Sequence, residues 1–214
     1  MYNVSSSPHV KAKMTTKSIM RDVIIAMIPT SAFGIYNYTN LFGIKYGIHS
    51  ALLILITVIS CVAAEYIYTT ITDQKITIFD LSAVVTGMIL ALNLPCTFPY
   101  WKAALGGAFA IIIVKQLFGG LGQNFMNPAL GARCFLVLSF AGDMTAFYPK
   151  DIKEIDAATS ATPLTALKNA GESSASLIDM FIGNHAGTIG ETSIIALLIG
   201  AASVSYTHLT LPTT

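Results

Sequence analysis

Long apolar runs separated by short polar stretches fill the chain from residue 22 to residue 141. A helix needs about 20 apolar residues to cross a bilayer, with a range of roughly 17 to 25. Five runs come close to this length: 22–37, 48–69, 80–95, 101–118 and 126–141. A sixth begins near Thr192 and stays apolar through Val204. The pattern predicts an all-α integral membrane protein built as a multi-span helical bundle.

Two of these runs show signs of an interrupted helix. The third and fifth are short and carry Gly, Asn or Arg, which is typical of helices that break inside a membrane around a cavity or ligand. The segment 119–133, GGLGQNFMNPALGAR, contains glycines that permit close backbone approach. Asn127 is a good N-cap, and Pro128 follows it at the first helical position. A broken helix at a cavity and a tight turn between two helices explain this segment equally well.

The composition agrees with a bilayer as the solvent. Only 11% of the residues are charged, whereas a soluble domain has roughly 25%. The net charge of +1 says nothing useful about nucleic acid, and we expect no nucleic-acid partner. The three cysteines are far apart and form no CxxC or Cys/His cluster, so we expect small buried apolar residues rather than metal ligands. They are Cys61, Cys96 and Cys134.

The distribution of charge predicts the orientation. Basic residues precede the first run and no acid appears before Asp22, so the positive-inside rule places segment 1–21 in the cytoplasm. Five crossings over 22–141 then place the acidic block 142–190 on the outer face, before a sixth span starts at 191–204. This assignment depends on counting five crossings rather than four. The basic residues are Lys11, Lys13, Lys17 and Arg21.

Ionisable residues inside the runs are costly in a membrane and are candidates for function by default. Glu65 and Lys115 lie near span ends, where snorkelling to the lipid headgroups is the simpler explanation. Arg133 lies deeper, one turn past the interrupted segment. It faces an internal pocket or a partner subunit, or else it is a helix-end charge.

The last residues do not complete the sixth span. The apolar run that ends at Val204 is about 13 residues long, which is too short to cross a bilayer. SYTHLTLPTT follows, with β-branched residues, Pro212 and no charge. We expect the chain to be truncated at its C-terminus, with residues 205–214 as a non-native tail. A genuine interfacial tail is the alternative.

A stretch of small residues and hydroxyls, DAATSATPL, lies at 156–164 in the water-exposed block. Thr162 followed by Pro163 predicts the start of a short helix, with the threonine as N-cap. The Thr162 hydroxyl also follows two small residues, Ser160 and Ala161, at a helix N-terminus that favours a phosphate group. The residues alone leave a helix cap and a phosphate attachment site both open, the cap being the default.

Asp156 to Thr162 resembles the flavin-transferase acceptor motif, which has Asp, two free positions, Ser/Thr, Gly/Ser and then Ala-Thr. Four further segments resemble successive blocks of one family, in order from about Ser7 to Ser203. That family is the D subunit of the Rnf ferredoxin:NAD oxidoreductase, with its relative, the B subunit of the sodium-translocating NADH:quinone reductase. The short N-terminal extension favours the former. The four segments are 7–23, 80–95, 122–135 and 187–201.

The resemblance implies an FMN bound to Thr162 through a phosphodiester. A separate flavin transferase would attach it by recognising the motif of Asp156, Thr159, Ser160 and Ala161. A second, non-covalent flavin is also implied, without residues that the sequence could assign to it. The implied fold has two repeats of opposite topology, similar to urea transporters, and this chain would form one half.

The implied function is that of a membrane subunit in a redox-driven ion pump. With the other Rnf subunits in the cell inner membrane, it would carry electrons between ferredoxin and NAD and couple them to Na⁺ or H⁺ translocation; it would not be active alone. The alternative is a small-solute channel or transporter without flavin, with segment 119–133 as its filter. A structural membrane subunit without a cofactor is a third interpretation.

The predicted topology can be tested by labelling. Cysteines introduced at Ser5 and Ser173 are expected to react with a membrane-impermeant maleimide from opposite sides of the membrane, Ser173 in intact cells and Ser5 only after permeabilisation. Labelling of both from the same side would mean that the number of crossings is wrong by one.

Overall fold

The computed structural model describes residues 15–73, 78–147, 177–183, 187–191 and 193–205. These residues form helices and turns, with a single β-bridge between Pro95 and Thr188 and no β-strand among them. The prediction of an all-α protein is confirmed. The inverted repeat remains an expectation.

Eight α-helices occur in the described part of the chain, and the fourth continues as a π-helix. Two of them, α1 and α2, are apolar and long enough to cross a membrane. The helices are α1 (Thr16–Phe42), α2 (Ile44–Ile71), α3 (Ser82–Leu92), α4 (Tyr100–Phe109) with the π-helix Ala110–Gln116, α5 (Pro128–Ser139), α6 (Ala141–Met144), α7 (Leu177–Ile182) and α8 (Ile194–Val204).

Two helices of the bundle are only about half as long as a membrane span. At 1.5 Å per residue, α3 and α5 extend about 16 to 18 Å, whereas the hydrocarbon core of a bilayer is about 30 Å thick. They correspond to the third and fifth apolar runs, which the sequence predicted to be short. Non-helical backbone follows α3 at 93–99 and precedes α5 at 117–127.

A single glycine separates the two long helices. Gly43 has a φ of 92°, in the region that residues with a Cβ avoid. Its N–H donates to the Thr39 carbonyl at 3.0 Å and ends α1, and α2 begins at the next residue. The chain thereby reverses without a loop.

The connection between α3 and α4 lies inside the protein. Three of its side chains, Leu94, Cys96 and Phe98, are fully buried. Non-helical backbone is tolerated at membrane depth only where it is buried in protein or lines a cavity. The predicted run 80–95 is therefore longer than the helix, because the chain turns within the bundle after Leu92.

Contacts among helix ends define the two ends of the bundle. The start of α4 lies beside the start of α2, since the rings of His49 and Tyr100 stack with centroids 4.3 Å apart. It also lies beside α6, because the Lys102 ammonium pairs with the Asp143 carboxylate. This is the end at which α1 finishes, at Phe42. The start of α1 lies at the opposite end.

The chain that follows residues 148–176 comes back to the end of α3. The Ile189 N–H donates to the Leu94 carbonyl at 3.0 Å. The Gly190 N–H donates to the Leu92 carbonyl at 2.8 Å. The last carbonyls of a helix have no partner within it, so the bond to Leu92 satisfies one of them from a distant part of the sequence, and the bond to Leu94 holds the connection that follows α3.

The cysteines are only partly as predicted. Cys61 and Cys96 are fully buried, whereas Cys134 is exposed. The expectation of burial is wrong for Cys134 because α5 buries a different face. That face carries Ala129, Gly131, Ala132 and Leu136.

Candidate functional site

A buried ion pair joins α2 to the π-helix. The Lys115 ammonium donates to Glu65 Oε1 at 2.6 Å. Glu65 is fully buried and Lys115 is 2% exposed. The snorkelling prediction is therefore wrong for both residues, because each charge finds its counterion inside the protein. Sequence reasoning missed the pair, although two opposite charges in separate apolar runs were a signal for it.

Two further side chains complete this charge cluster, which consists of Glu65, Ser82, Lys115 and Gln116. The Lys115 ammonium also donates to Ser82 Oγ at 2.7 Å, at the first residue of α3. The Gln116 amide donates to Glu65 Oε1 at 3.1 Å. Removing two charges from water costs several kcal/mol per ion, and attraction offsets this only with good geometry and additional hydrogen bonds. The cluster supplies both.

The π-helix explains how neighbouring residues reach one carboxylate oxygen. Adjacent side chains of an α-helix point in directions about 100° apart, since it has 3.6 residues per turn. In the segment Ala110–Gln116 the turn is wider, and the Leu117 N–H bonds to the Ile112 carbonyl five residues back at 3.1 Å. This widening lets Lys115 and Gln116 both face α2. Such π segments are rare and occur frequently at functional sites.

A glycine-containing loop, residues 117–127, follows the π-helix. Asn127 caps α5 as predicted: its side chain accepts a hydrogen bond from the Ala129 N–H at 3.0 Å, and Pro128 is the first helical residue. Gly122 has a φ of 87°, and no atom lies within 4 Å of the place where its Cβ would be. The interpretation that glycine permits close approach is wrong at Gly122; the backbone angle is what requires it.

A cavity of about 450 Å³ lies between this loop, α1 and α3. Ser82 and Lys115 belong to its lining, so the charge cluster borders the cavity. The loop contributes Gly122 and Asn124, and α1 contributes Met20. Of the two explanations for the interrupted segment, a helix break at a cavity fits this geometry better than a plain turn. Because Met20 is near the start of α1, the cavity belongs to that end of the bundle.

Arg133 lines a second cavity, of about 520 Å³, between α1, α3, α5 and α8. Its guanidinium donates to Asn93 Oδ1 at 2.8 Å, and Asn93 is the C-cap of α3. A cation is favourable at a helix C-terminus. Thr188 and Glu191 add polar groups to an otherwise mostly apolar lining. Among the alternatives for Arg133, the structure supports an internal pocket. The volume is within the range of small-molecule sites, roughly 300 to 1,000 Å³.

The predicted flavin acceptor motif lies outside the described residues. The attachment of FMN therefore stays a prediction. The five residues of the motif are Asp156, Thr159, Ser160, Ala161 and Thr162.

Comparison with known proteins places the chain in a family. Residues 3–211 match the family described as NQR2, RnfD, RnfE. The chain belongs to this family. The resemblance to the D subunit of the Rnf oxidoreductase is thereby confirmed, and with it the expectation of a membrane protein.

Individual relatives agree with this membership. The chain is 48% identical over 209 residues to the D subunit of the Na⁺-translocating ferredoxin:NAD⁺ oxidoreductase complex of Acetobacterium woodii, covering 95% of this chain and 62% of the relative. It is 37% identical over 215 residues to the D subunit of the proton-translocating ferredoxin:NAD⁺ oxidoreductase complex of Clostridium ljungdahlii, covering 96% and 62%. The D subunit of the ion-translocating oxidoreductase complex of Rhodobacter capsulatus is 31% identical over 243 residues, covering 100% and 66%. The chain thus spans less than two thirds of the length of each.

The requirement for glycine in the loop can be tested by substitution. Gly122→Ala is expected to lower the thermal unfolding midpoint in detergent, because a side chain at this positive φ costs roughly 1 to 3 kcal/mol. Gly142→Ala is the matched control, since open space surrounds Gly142 as well and it lies within helix α6. Equal midpoints for the two variants would contradict the assignment of strain to Gly122.

The energetics of the ion pair can be tested with a double-mutant cycle. Lys115→Met leaves the Glu65 carboxylate buried without its counterion, and we expect a loss of about 3 to 5 kcal/mol. Lys115→Met combined with Glu65→Gln removes both charges and should recover much of that loss. The measurement is the thermal midpoint of the purified protein. Losses that simply add would show that the two residues are not coupled.

Proposed function

We propose that this chain is part of a membrane subunit of an Rnf-type ion-translocating ferredoxin:NAD oxidoreductase. The observation that carries the proposal is the match over residues 3–211 to a family whose relatives carry this name, at 48% identity in one of them. The subunit takes part in electron transfer between ferredoxin and NAD, coupled to translocation of Na⁺ or H⁺. It acts only with the other Rnf subunits, in the inner membrane.

The architecture supports a role in transport. The bundle combines two long apolar helices with two half-length ones, α3 and α5, next to non-helical backbone. Transporters form substrate and ion sites from discontinuous helices of this kind, and these helices often belong to inverted repeats. One half of a urea-transporter-like inverted repeat, with the N-terminus in the cytoplasm and residues 142–190 on the outer face, is part of the same proposal.

The proposal includes covalent FMN on Thr162. Its support is the motif DAATSAT at 156–162, which matches the acceptor pattern of flavin transferases. The flavin would supply the electron-carrying chemistry, and the protein would hold it in place. The Thr162 hydroxyl forms the phosphodiester, and Asp156 contributes to recognition by the transferase. A second, non-covalent flavin belongs to the proposal without assigned residues.

The attachment site is tested by mass spectrometry of the peptide that contains residues 154–168, from protein co-expressed with a flavin transferase. We expect a mass increase of one FMN less water, localised to Thr162. Thr162→Ala should abolish both this increase and the in-gel fluorescence. As the loss of a helix cap, the change should cost only about 1 kcal/mol, so the subunit should still insert and assemble.

Two further variants separate attachment from recognition. Thr159→Ala is the matched control, because it removes a neighbouring hydroxyl and leaves the attachment atom. Asp156→Asn retains Thr162 but removes the leading charge, and should reduce fluorescence if the transferase recognises that carboxylate. An unmodified wild-type peptide would leave Thr162 as a helix cap only, and would favour the colourless channel or structural subunit.

A further inference from the structure

The segment that carries the predicted acceptor motif, residues 148–182, is flanked by backbone that bonds to one short connection of the bundle. Before this acceptor segment, the Ala146 carbonyl accepts a hydrogen bond from the Thr97 hydroxyl. After it, the Ile189 N–H donates to the Leu94 carbonyl at 3.0 Å. Leu94 and Thr97 are three positions apart, so their Cα atoms are separated by at most about 11 Å. The chain on both sides of the acceptor segment is therefore held at one place.

Helix α1 holds the C-terminal side of the acceptor segment as well. The Tyr38 hydroxyl donates to the Gly187 carbonyl, and the Asn37 amide donates to the Gly183 carbonyl at 2.8 Å. Tyr38 is fully buried and Asn37 is 7% exposed. A polar group in an apolar interior is costly unless it is hydrogen-bonded. These two side chains are stable in the bundle because the backbone that follows the acceptor segment supplies their partners.

The hydrogen bonds from Tyr38 and Thr97 do more than packing requires. Phe and Val would fill nearly the same space without a hydroxyl, and the hydrophobic effect that packs such side chains is non-directional. A hydrogen bond has a preferred distance and angle. Each hydroxyl thus selects one placement of the backbone carbonyl that it binds. Both carbonyls belong to the chain that leads into or out of the acceptor segment.

We propose that Tyr38 and Thr97 are positioning residues, which fix the chain on either side of the acceptor segment and thereby the place of Thr162 relative to the bundle. The phosphodiester ties a flavin only to Thr162, so the precision of its placement depends on how the segment is held. A misplacement of about 1 Å can cost on the order of 100-fold in rate. The inference rests on the proposed attachment of FMN to Thr162.

The first experiment measures the placement of the acceptor segment in the purified full-length subunit, with or without flavin. One spin label is attached at Ser173→Cys in the segment and a second at Thr70→Cys, an exposed position near the end of α2. Cys134→Ser removes the exposed native cysteine, whereas Cys61 and Cys96 are buried and remain. Pulsed electron paramagnetic resonance then gives the distribution of distances between the two labels.

Loss of either hydroxyl is expected to broaden this distribution at least twofold. Tyr38→Phe and Thr97→Val each remove one hydrogen bond and keep nearly the same shape. Thr97→Ser is the matched control, because it retains the hydroxyl, and its distribution should equal that of the wild type. Equal widths in Thr97→Val and Thr97→Ser overturn the anchoring.

The second experiment uses the assembled complex and follows reduction of the Thr162-bound flavin by reduced ferredoxin, with the FMN content taken from in-gel fluorescence. Tyr38→Phe and Thr97→Val are expected to retain FMN and to slow the reduction per FMN at least threefold. Thr97→Ser should restore the wild-type rate. A purely structural role would lower the amount of assembled, FMN-loaded subunit and leave the rate per FMN unchanged.

The outcomes separate this inference from the proposed function. A wild-type subunit without FMN on Thr162 overturns the proposed function and, with it, the positioning of a flavin. FMN-loaded variants that keep the wild-type distances or the wild-type rate per FMN overturn only this inference. Broader distances together with slower reduction, both restored in Thr97→Ser, support it. If Tyr38→Phe or Thr97→Val does not assemble, the other variant decides by the same criteria.

Discussion

The attraction between one buried carboxylate and one buried ammonium constrains how the helices of this protein assemble. Glu65 comes from α2, Lys115 from the π-helix and Ser82 from the start of α3, so two hydrogen bonds of one ammonium bring three elements together. Neither charge can be left alone in an apolar interior, because an unpaired buried ion is far more costly than a paired one. The wider turn of the π-helix helps to meet this need for a partner, because it lets Lys115 and Gln116 both reach Glu65.

The half-length helices follow from a second constraint, that backbone polar groups need partners in a water-poor environment. The connection at 93–99 meets it by burial, and the Ile189 and Gly190 N–H groups bond to carbonyls at the end of α3. On the other side of the bundle, Asn127 caps α5 where the loop ends. Burial, hydrogen bonds and a helix cap therefore stabilise the backbone at both helix breaks. Each of the two cavities lies next to one of these breaks.

Much of this architecture could be predicted from hydrophobic patterning, but the cluster could not. The apolar runs located α1 to α5 and α8 among the described residues, and Asn127 with Pro128 predicted the start of α5, because capping depends on neighbouring residues alone. Glu65 and Lys115 are 50 residues apart in sequence. The sequence does not distinguish a charge that snorkels to the headgroups from one that pairs inside the protein, because it does not show which helix faces meet. The π-helix depends on that tertiary contact, and no local composition indicates it. Cys134 shows the same limit, since patterning does not reveal which face of a short helix is buried.

Helix α3 links the two regions that define this molecule. One of its ends holds Ser82 in the charge cluster, and the other is hydrogen-bonded to the segment 187–191, which follows the predicted acceptor motif in sequence. An α-helix of this length is a stiff rod of about 16 Å. A displacement along its axis at one end therefore arrives at the other nearly undiminished. A shift of α3 caused near residue 190 would therefore also move Ser82, whose hydroxyl accepts a hydrogen bond from the Lys115 ammonium.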